Sequence, residues 1–80
     1  MRIIYEPDAF KALMKMPAKD RDAIDAKLER YALTGTGDVT RMVGTPEYRL
    51  RHRHWRAIFV IEDDMLVLRI AHRSVVYRRG

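Results

Sequence analysis

The hydrophobic pattern near the start of the chain changes from that of a strand to that of a helix at Pro7. Residues 2–6 are mostly β-branched or aromatic, which predicts a short strand from Arg2 to Glu6. Asp8 is then suited to cap a helix in which apolar residues recur at i, i+3 and i+4. The residues at these positions, Phe10, Leu13 and Met14, are predicted to face the core. Pro17 either ends this helix or begins the next one.

A second helix is predicted from about Ala18 to Leu33. Its apolar stripe consists of Ile24, Leu28 and Tyr31, and charged residues occupy the other face. Thr34-Gly35 is expected to end the helix, since glycine favours a helix C-terminus. Because only a short break at Met16-Pro17 separates the two helices, they are predicted to form an αα-hairpin.

The second half of the chain is predicted to be a loop followed by three strands. Residues 34–46 are rich in turn formers and are predicted to be a loop. The strands span roughly Glu47–His52, Trp55–Glu62 and Met65–His72, with a hairpin turn at Asp63-Asp64. Residues 75–78 are expected to extend the last strand or to form a short tail strand. This order predicts an α+β domain in which the helix pair covers a small, mostly antiparallel sheet of about four strands.

Alternation along the last two strands places apolar residues on both faces of the sheet. Strict alternation puts Ile58 and Val60 opposite Ala57, Phe59 and Ile61, and it puts Val67 opposite Leu66, Leu68 and Ile70. A face in contact with water would not need apolar residues. Either the sheet curls so that both faces are covered, or a partner segment covers the second face. The small size of the chain favours a partner.

Composition limits the kinds of protein that this chain can be. The 80 residues include no cysteine, which excludes disulfides and thiolate metal sites and fits a cytoplasmic location. The N-terminus lacks the pattern of a signal peptide, and no apolar run is long enough to span a membrane. The formal net charge of +5 favours an anionic partner, which means nucleic acid, lipid headgroups or an acidic protein.

Arginine is concentrated towards the end of the chain. From residue 47 onward there are eight arginines and no lysine, whereas all four lysines lie before residue 28. Arginine suits planar, bidentate contact with phosphate and stacking on bases. Arg49 and Arg51 share a strand parity, so they are predicted to face the same side and to contact successive phosphates. The alternative is a solvated arginine surface without a ligand.

The ordered motifs of this region resemble the RelE/ParE superfamily of toxin–antitoxin toxins. They are Tyr48-Arg49-Leu50-Arg51, Trp55-Arg56-Ala57-Ile58-Phe59, Glu62-Asp63-Asp64, and Ala71-His72-Arg73 with Val76-Tyr77. The resemblance implies one RelE-like domain over residues 1–80. RelE-like members are metal-free endoribonucleases that cleave mRNA in the ribosomal A site. ParE-like members inhibit DNA gyrase and generally lack the terminal tyrosine, so Tyr77 favours the ribonuclease branch.

The resemblance also implies site residues and partners. By motif position, the implied catalytic set is Arg49, Arg51, Arg56, Arg73 and Tyr77. No cofactor is implied, and a cognate antitoxin would neutralise the arginine cluster. The best-known ribonuclease members carry lysine at positions 49 and 51, and relatives commonly have a glycine-containing turn in place of Arg53-His54.

Metal-free RNA cleavage requires proton transfers that arginine does not provide. The 2′-hydroxyl must be activated, charge on the phosphorane stabilised, and the leaving 5′-oxygen protonated. Since arginine stays protonated, Arg56 and Arg73 are expected to clamp the phosphate. His72 is the predicted proton-transfer residue; its alternative is a strand-end histidine with a satisfied hydrogen bond. Tyr77 is expected to act as general acid or to stack on a base.

The basic turn between the first two long strands is predicted to bind RNA. The expected RNA-binding residues are His52, Arg53, His54 and, near the C-terminus, Arg78. The histidines of the turn could stack on bases or take part in catalysis. The three histidines of the chain also allow a metal-site interpretation, but no carboxylate or cysteine motif supports it. Trp55 is expected to pack in the core or at its edge.

Three hypotheses follow for the function. The first is a cytoplasmic toxin of a type II toxin–antitoxin pair, an endoribonuclease whose partners are mRNA, the ribosome and a cognate antitoxin. The second is a DNA gyrase inhibitor without nuclease activity. The third is a protein that only binds an antitoxin or RNA.

Overall fold

The computed structural model describes residues 1–76, which form one five-stranded sheet with two helices packed on one face. The elements are β1 (Ile3–Tyr5), α1 (Pro7–Lys15), α2 (Ala18–Thr34), β2 (Val39–Arg41), β3 (Glu47–His52), β4 (Trp55–Ile61), β5 (Met65–His72) and α3 (Arg73–Val76). The strand order is β1-β5-β4-β3-β2. β1 runs parallel to β5, and the other neighbours are antiparallel. The predicted α+β architecture is confirmed.

The short strand β2 lies in the segment that was predicted to be a loop. Its residues pair with Tyr48-Arg49-Leu50 at the edge of the sheet. The strand has only three residues, which are too few to show an alternating pattern. The sheet therefore has five strands rather than about four.

Proline and glycine set the helix boundaries. α1 begins at Pro7, which suits a first helical position, and its N-cap is Glu6 without a side-chain cap bond, so Asp8 lies in the first turn instead of capping it. Pro17 is the N-cap of α2. Gly35 ends α2 in the left-handed conformation, with φ 71°, and donates its N–H to a carbonyl in the last turn. The predicted pair of helices is confirmed.

The prediction for the buried stripe of α1 was wrong for two of its three residues. Leu13 is buried together with Ala9, but Phe10 and Met14 are 50% and 44% exposed. The apolar residues of α1 form a wide arc rather than a narrow stripe, so their spacing alone does not fix which of them are buried. Small Ala9 allows the helix to approach the sheet closely, and Phe10 and Met14 are left on the outer face.

The core lies between the helices and one face of the sheet. Ile24 and Leu28 of α2 are buried there, as predicted, and Tyr31 packs against them at the edge. On the sheet side, the Phe59 ring stacks on Tyr48 at a centroid distance of 5.3 Å. Trp55 is half-buried and packs against the same cluster.

A β-bulge in β5 changes the side-chain parity expected for that strand. Ile58 pairs with Arg69 and Phe59 with Val67, which leaves Leu68 as an extra residue. Val67 and Ile70 therefore both lie in the core, although strict alternation predicted opposite faces. The same shift places Arg69 beside Ile58 on the second face.

The chain turns into a short helix after β5. The structure has α3 where residues 75 and 76 were predicted to continue as a strand. Tyr77 and Arg78 lie outside the described residues. Within residues 1–76, no helix is both long enough and apolar enough to cross a membrane.

Candidate functional site

Cross-strand pairing gathers arginines on the face of the sheet that points away from α1 and α2. Arg51 pairs with Arg56 across β3 and β4, and Arg49 pairs with Ile58, whose partner on β5 is Arg69. Residues directly opposite each other project from the same face. Arg49, Arg51, Arg56 and Arg69 therefore form one surface, here called the arginine face.

Two adjoining cavities cross one end of this face. One has a volume of about 220 Å³ and is lined by Asp38, Thr40, Arg49, Arg51 and Arg56. The other has a volume of about 520 Å³ and is lined by Lys27, Asp38, Arg51, Arg53, His54, Arg56 and Arg73. They share Asp38, Arg51 and Arg56, and together they are called the basic groove. Among the described lining residues Asp38 is the only acid, so the groove is suited to a polyanion.

Arg56 lies at the base of the groove and holds the neighbouring turn. It is 6% exposed. Its Nη1 donates hydrogen bonds to the carbonyl oxygens of Arg53 and Trp55, at 2.8 and 2.9 Å. Arg53 has a φ of 55°, a left-handed conformation that favours glycine. The buried guanidinium thus stabilises a turn that lacks the usual glycine.

The same turn is joined to the start of α3. The backbone N–H of Arg73 donates to the carbonyl oxygen of His54 at 2.6 Å. Since one donor comes from β4 and another from α3, the side chains of Arg53, His54 and Arg73 project from a fixed backbone. Such support from outside the site is what positions groups for binding or chemistry.

Arg51 is oriented by Asp38. Its Nε donates to Asp38 Oδ2 at 2.9 Å, and its backbone N–H donates to the Asp38 carbonyl oxygen at 2.9 Å. Both side chains are more than half exposed. The ion pair uses one of the five guanidinium N–H groups of Arg51 and leaves the charge accessible from solvent.

His54 and His72 lie next to each other at the mouth of the groove. Their ring centroids are 5.7 Å apart. His72 Nδ1 lies 3.3 Å from the backbone N–H of Ser74 and 2.9 Å from its hydroxyl oxygen. Because a backbone N–H only donates, Nδ1 of His72 is the acceptor in that contact. His54 lines the groove, whereas His72 contacts the first residues of α3.

His52 lies on the opposite face of the sheet from the arginines. It is 9% exposed beneath α2. Its Nδ1 is 2.9 Å from Lys27 Nζ, and its Nε2 is 3.1 Å from Asp20 Oδ1. An ammonium group has no acceptor, so Nδ1 accepts from Lys27 and Nε2–H donates to Asp20. His52 thus ties α2 to the end of β3 and is turned away from the surface where RNA binding was expected.

The structure brings together most of the residues that the sequence indicated. Arg49, Arg51, Arg53, His54, Arg56 and Arg73 line the basic groove. His72 is adjacent to the groove, His52 is on the other face, and Tyr77 and Arg78 are outside the described residues. Within residues 1–76, no three potential metal ligands are close enough to hold a metal ion.

Sequence reasoning missed Lys27, Asp38 and Thr40. Lys27 reaches the groove from α2. In the sequence it is one of many charged residues on the outer face of that helix, and nothing distinguishes it as a groove residue. Asp38 and Thr40 belong to the segment that was predicted to be a loop. The alternating residues of β2 would have placed Thr40 beside Arg49, had the strand been recognised.

The resolved pKa shifts belong to contacts outside the groove. Burial raises the pKa of Tyr5, and a 2.6 Å hydrogen bond from its hydroxyl to Asp25 Oδ1 adds to the effect. The backbone N–H of Arg2, and then its guanidinium, lower the pKa of Asp64. Both contacts fasten the edge strand β1, the first to α2 and the second to the β4–β5 turn.

Comparison with known proteins shows the fold but no close sequence relative. The sequence matches no protein-family model and no curated protein. A RelB–RelE antitoxin–toxin complex from Methanococcus jannaschii contains a chain that is 20% identical, with a TM-score of 0.76. That match covers 92% of this chain and 94% of that one.

Two further structures share the fold. A mutant of the E. coli toxin RelE in the free state is 16% identical, with a TM-score of 0.79, and the match covers 92% of this chain and 84% of that chain. The YoeB dimer from Staphylococcus aureus is 17% identical, with a TM-score of 0.76, and coverages of 90% and 95%. The chain therefore has the fold of the RelE/ParE toxins, as its motifs indicated.

Proposed function

We propose that this protein is the toxin of a type II toxin–antitoxin pair, and that it cleaves mRNA on the ribosome in the basic groove. The observation that carries the proposal is the charge of the groove. Six cations line it, namely Lys27, Arg49, Arg51, Arg53, Arg56 and Arg73, against the single acid Asp38 among the described lining residues. The shared fold with RelE and YoeB is consistent with this function.

The groove is suited to hold an RNA backbone through a transition state. Arg49 and Arg51 are two residues apart on β3, so their side chains follow one another along the same face. They are proposed to bind successive phosphates. Arg73, held beside the turn by its backbone N–H, is proposed to stabilise the charge of the phosphorane. Tyr77 remains a proposed general acid or base-stacking residue.

A cognate antitoxin is the proposed protein partner. The second sheet face has a basic part at β3 and an apolar row at its other end, where Ile4, Leu66 and Val60 are neighbours on β1, β5 and β4. A segment that combines carboxylates with apolar side chains would complement both parts. Such a segment would block the basic groove and so neutralise the protein.

Primer extension on a reporter mRNA tests the proposal. Brief induction of the chain without an antitoxin should produce cuts at a fixed codon position within the translated region. Arg73→Ala should abolish them and keep the fold, because the Arg73 N–H bond to His54 is made by the backbone. Lys11→Ala removes one charge from an exposed position on α1, and this variant should cut normally.

Two outcomes would contradict the proposal. Growth arrest with intact mRNA and accumulated cleaved-DNA complexes would indicate gyrase as the target. Normal growth on overexpression, with the folded protein present, would indicate a protein that only binds an antitoxin or RNA.

A further inference from the structure

The position of His54 within the groove is fixed by bonds on both sides of its turn. The carbonyl oxygen of His54 accepts the N–H of Arg73 at 2.6 Å, and that of Arg53 accepts Nη1 of Arg56 at 2.8 Å. The side chain of His54 is exposed and lines the larger cavity. An exposed imidazole on a braced turn is accessible to a ligand and keeps its place relative to the arginines.

The other charged groups of the groove are poorly suited to accept a proton. Arginine is not deprotonated in proteins and so cannot act as a base. Lys27 donates to His52 Nδ1 at 2.9 Å, and Asp38 accepts from Arg51 at 2.9 Å. Each of these two groups is thus engaged in its charged form. An imidazole, by contrast, accepts and releases protons near neutral pH.

We propose that His54 is the proton-transfer residue of the groove and accepts the proton of the attacking 2′-hydroxyl. This inference rests on the proposed ribonuclease function and deepens it. As the 2′-oxygen forms its bond to phosphorus, the bond from phosphorus to the 5′-oxygen breaks. The 2′-proton passes to the imidazole, and the leaving 5′-oxygen takes a proton from water. The hydroxide formed in this way removes the proton from the imidazolium, which restores neutral His54. The products are a 2′,3′-cyclic phosphate and a 5′-hydroxyl, so atoms and charge balance.

The groups that face His54 come from every element packed around the turn. They are Lys27 from α2, Asp38 before β2, Arg51 and Arg53 at the end of β3, Arg56 from β4, and His72 and Arg73 at the junction of β5 and α3. Of these, only His72 also carries an imidazole. His72 Nδ1 contacts the Ser74 N–H and hydroxyl. His54 lines the groove, whereas His72 is not among its described lining residues. The geometry therefore assigns the proton transfer to His54, although the sequence analysis had predicted His72, the imidazole next to Arg73.

Single-turnover cleavage of a ribosome-bound mRNA between pH 5.5 and 8.5 tests the assignment. The wild-type rate should rise with pH over this range, because only a neutral imidazole can accept a proton. His54→Gln should lower the rate by about 10²- to 10⁴-fold, the usual contribution of a general base, and should remove this rise. Free imidazole should restore part of the rate of His54→Ala. Lys11→Ala should keep the wild-type rate and profile.

The inference and the proposed function fail in different ways. If the folded wild-type protein cuts no mRNA, the ribonuclease function itself is wrong. If the wild type cuts and His54→Gln has the same pH profile with only a higher KM, His54 binds RNA without transferring the proton. If His72→Gln removes the rise and His54→Gln does not, the proton transfer belongs to His72. Circular dichroism of each variant checks that it is folded.

Discussion

Arg56 donates a 2.8 Å hydrogen bond from its buried guanidinium to the carbonyl oxygen of Arg53, the one non-glycine residue with a positive φ among residues 1–76. The contact connects the base of the groove to the turn at its rim. It gives Arg56 a structural role in addition to any role toward RNA. Loss of activity in Arg56→Ala could therefore come from a disturbed turn as well as from a lost contact to RNA. Arg73→Ala avoids this ambiguity, because Arg73 is bonded to the turn through its backbone.

Replacing Arg56 should therefore lower stability more than replacing its cross-strand neighbour. Arg56→Ala leaves two carbonyl oxygens without their donor, and we expect the free energy of unfolding to fall by about 1–3 kcal/mol. Arg51→Ala removes an exposed ion pair with Asp38, for which a change below about 1 kcal/mol is expected. Urea unfolding of the two variants measures the difference. Equal destabilisation would contradict the structural role of Arg56.

Asp38 should oppose RNA binding, because it is the one acid among the described residues of the basic groove. Asp38→Asn is expected to tighten binding of a short single-stranded RNA by about 1.4- to 5-fold, which corresponds to an exposed ion pair of about 0.2–1 kcal/mol. The gain should decrease at high salt. Fluorescence anisotropy with labelled RNA at two salt concentrations measures both effects.

Asp63→Asn is the matched control for this change in charge. Asp63 is exposed in the turn between β4 and β5, at the other end of β4 from the groove. The substitution raises the net charge equally but away from the arginines. Similar gains in affinity for both variants would show that net charge, and not the groove, determines RNA binding.

Local sequence signals were sufficient for most of the fold. Pro7, Pro17 and Gly35 fix the helix boundaries because their backbone preferences act within a few residues. The long strands were recognised from apolar runs of strand-forming residues, and the turn at Asp63-Asp64 from the polar residues that separate two of these runs. The arginine face was also visible, since residues two apart on one strand share a side.

What the sequence did not predict depends on contacts between distant segments. The bulge at Leu68 reverses the parity of β5, and nothing local to Leu68 indicates it. His52 was assigned to the RNA surface from its basic neighbours, but its position is set by Asp20 and Lys27 on α2. Lys27 lines the groove because α2 packs against the end of β3, a contact between segments that are distant in sequence.

Tyr5 should make stability depend on pH in the alkaline range. Its hydroxyl donates to Asp25, and Tyr5→Phe is expected to lower the free energy of unfolding by about 1–2 kcal/mol at pH 7. The pKa of Tyr5 is raised in the folded protein, mainly by burial. The contribution is therefore complete below the unfolded value of about 10 and is lost as the pH rises above it. Urea unfolding between pH 7 and 11 should show the two proteins converging above pH 10; a constant difference would contradict this.

Lys27 should contribute to RNA binding although it lies on a helix far from the arginine motifs in sequence. Lys27 lines the groove, and its ammonium donates to His52 Nδ1 at 2.9 Å. If Lys27 contacts one phosphate, Lys27→Ala should weaken RNA binding and reduce the slope of log affinity against log salt by about 0.7. Lys11→Ala removes the same charge from the exposed surface of α1 and should leave the slope unchanged. An equal decrease in both variants would mean that RNA affinity responds to overall charge and that Lys27 does not contact RNA.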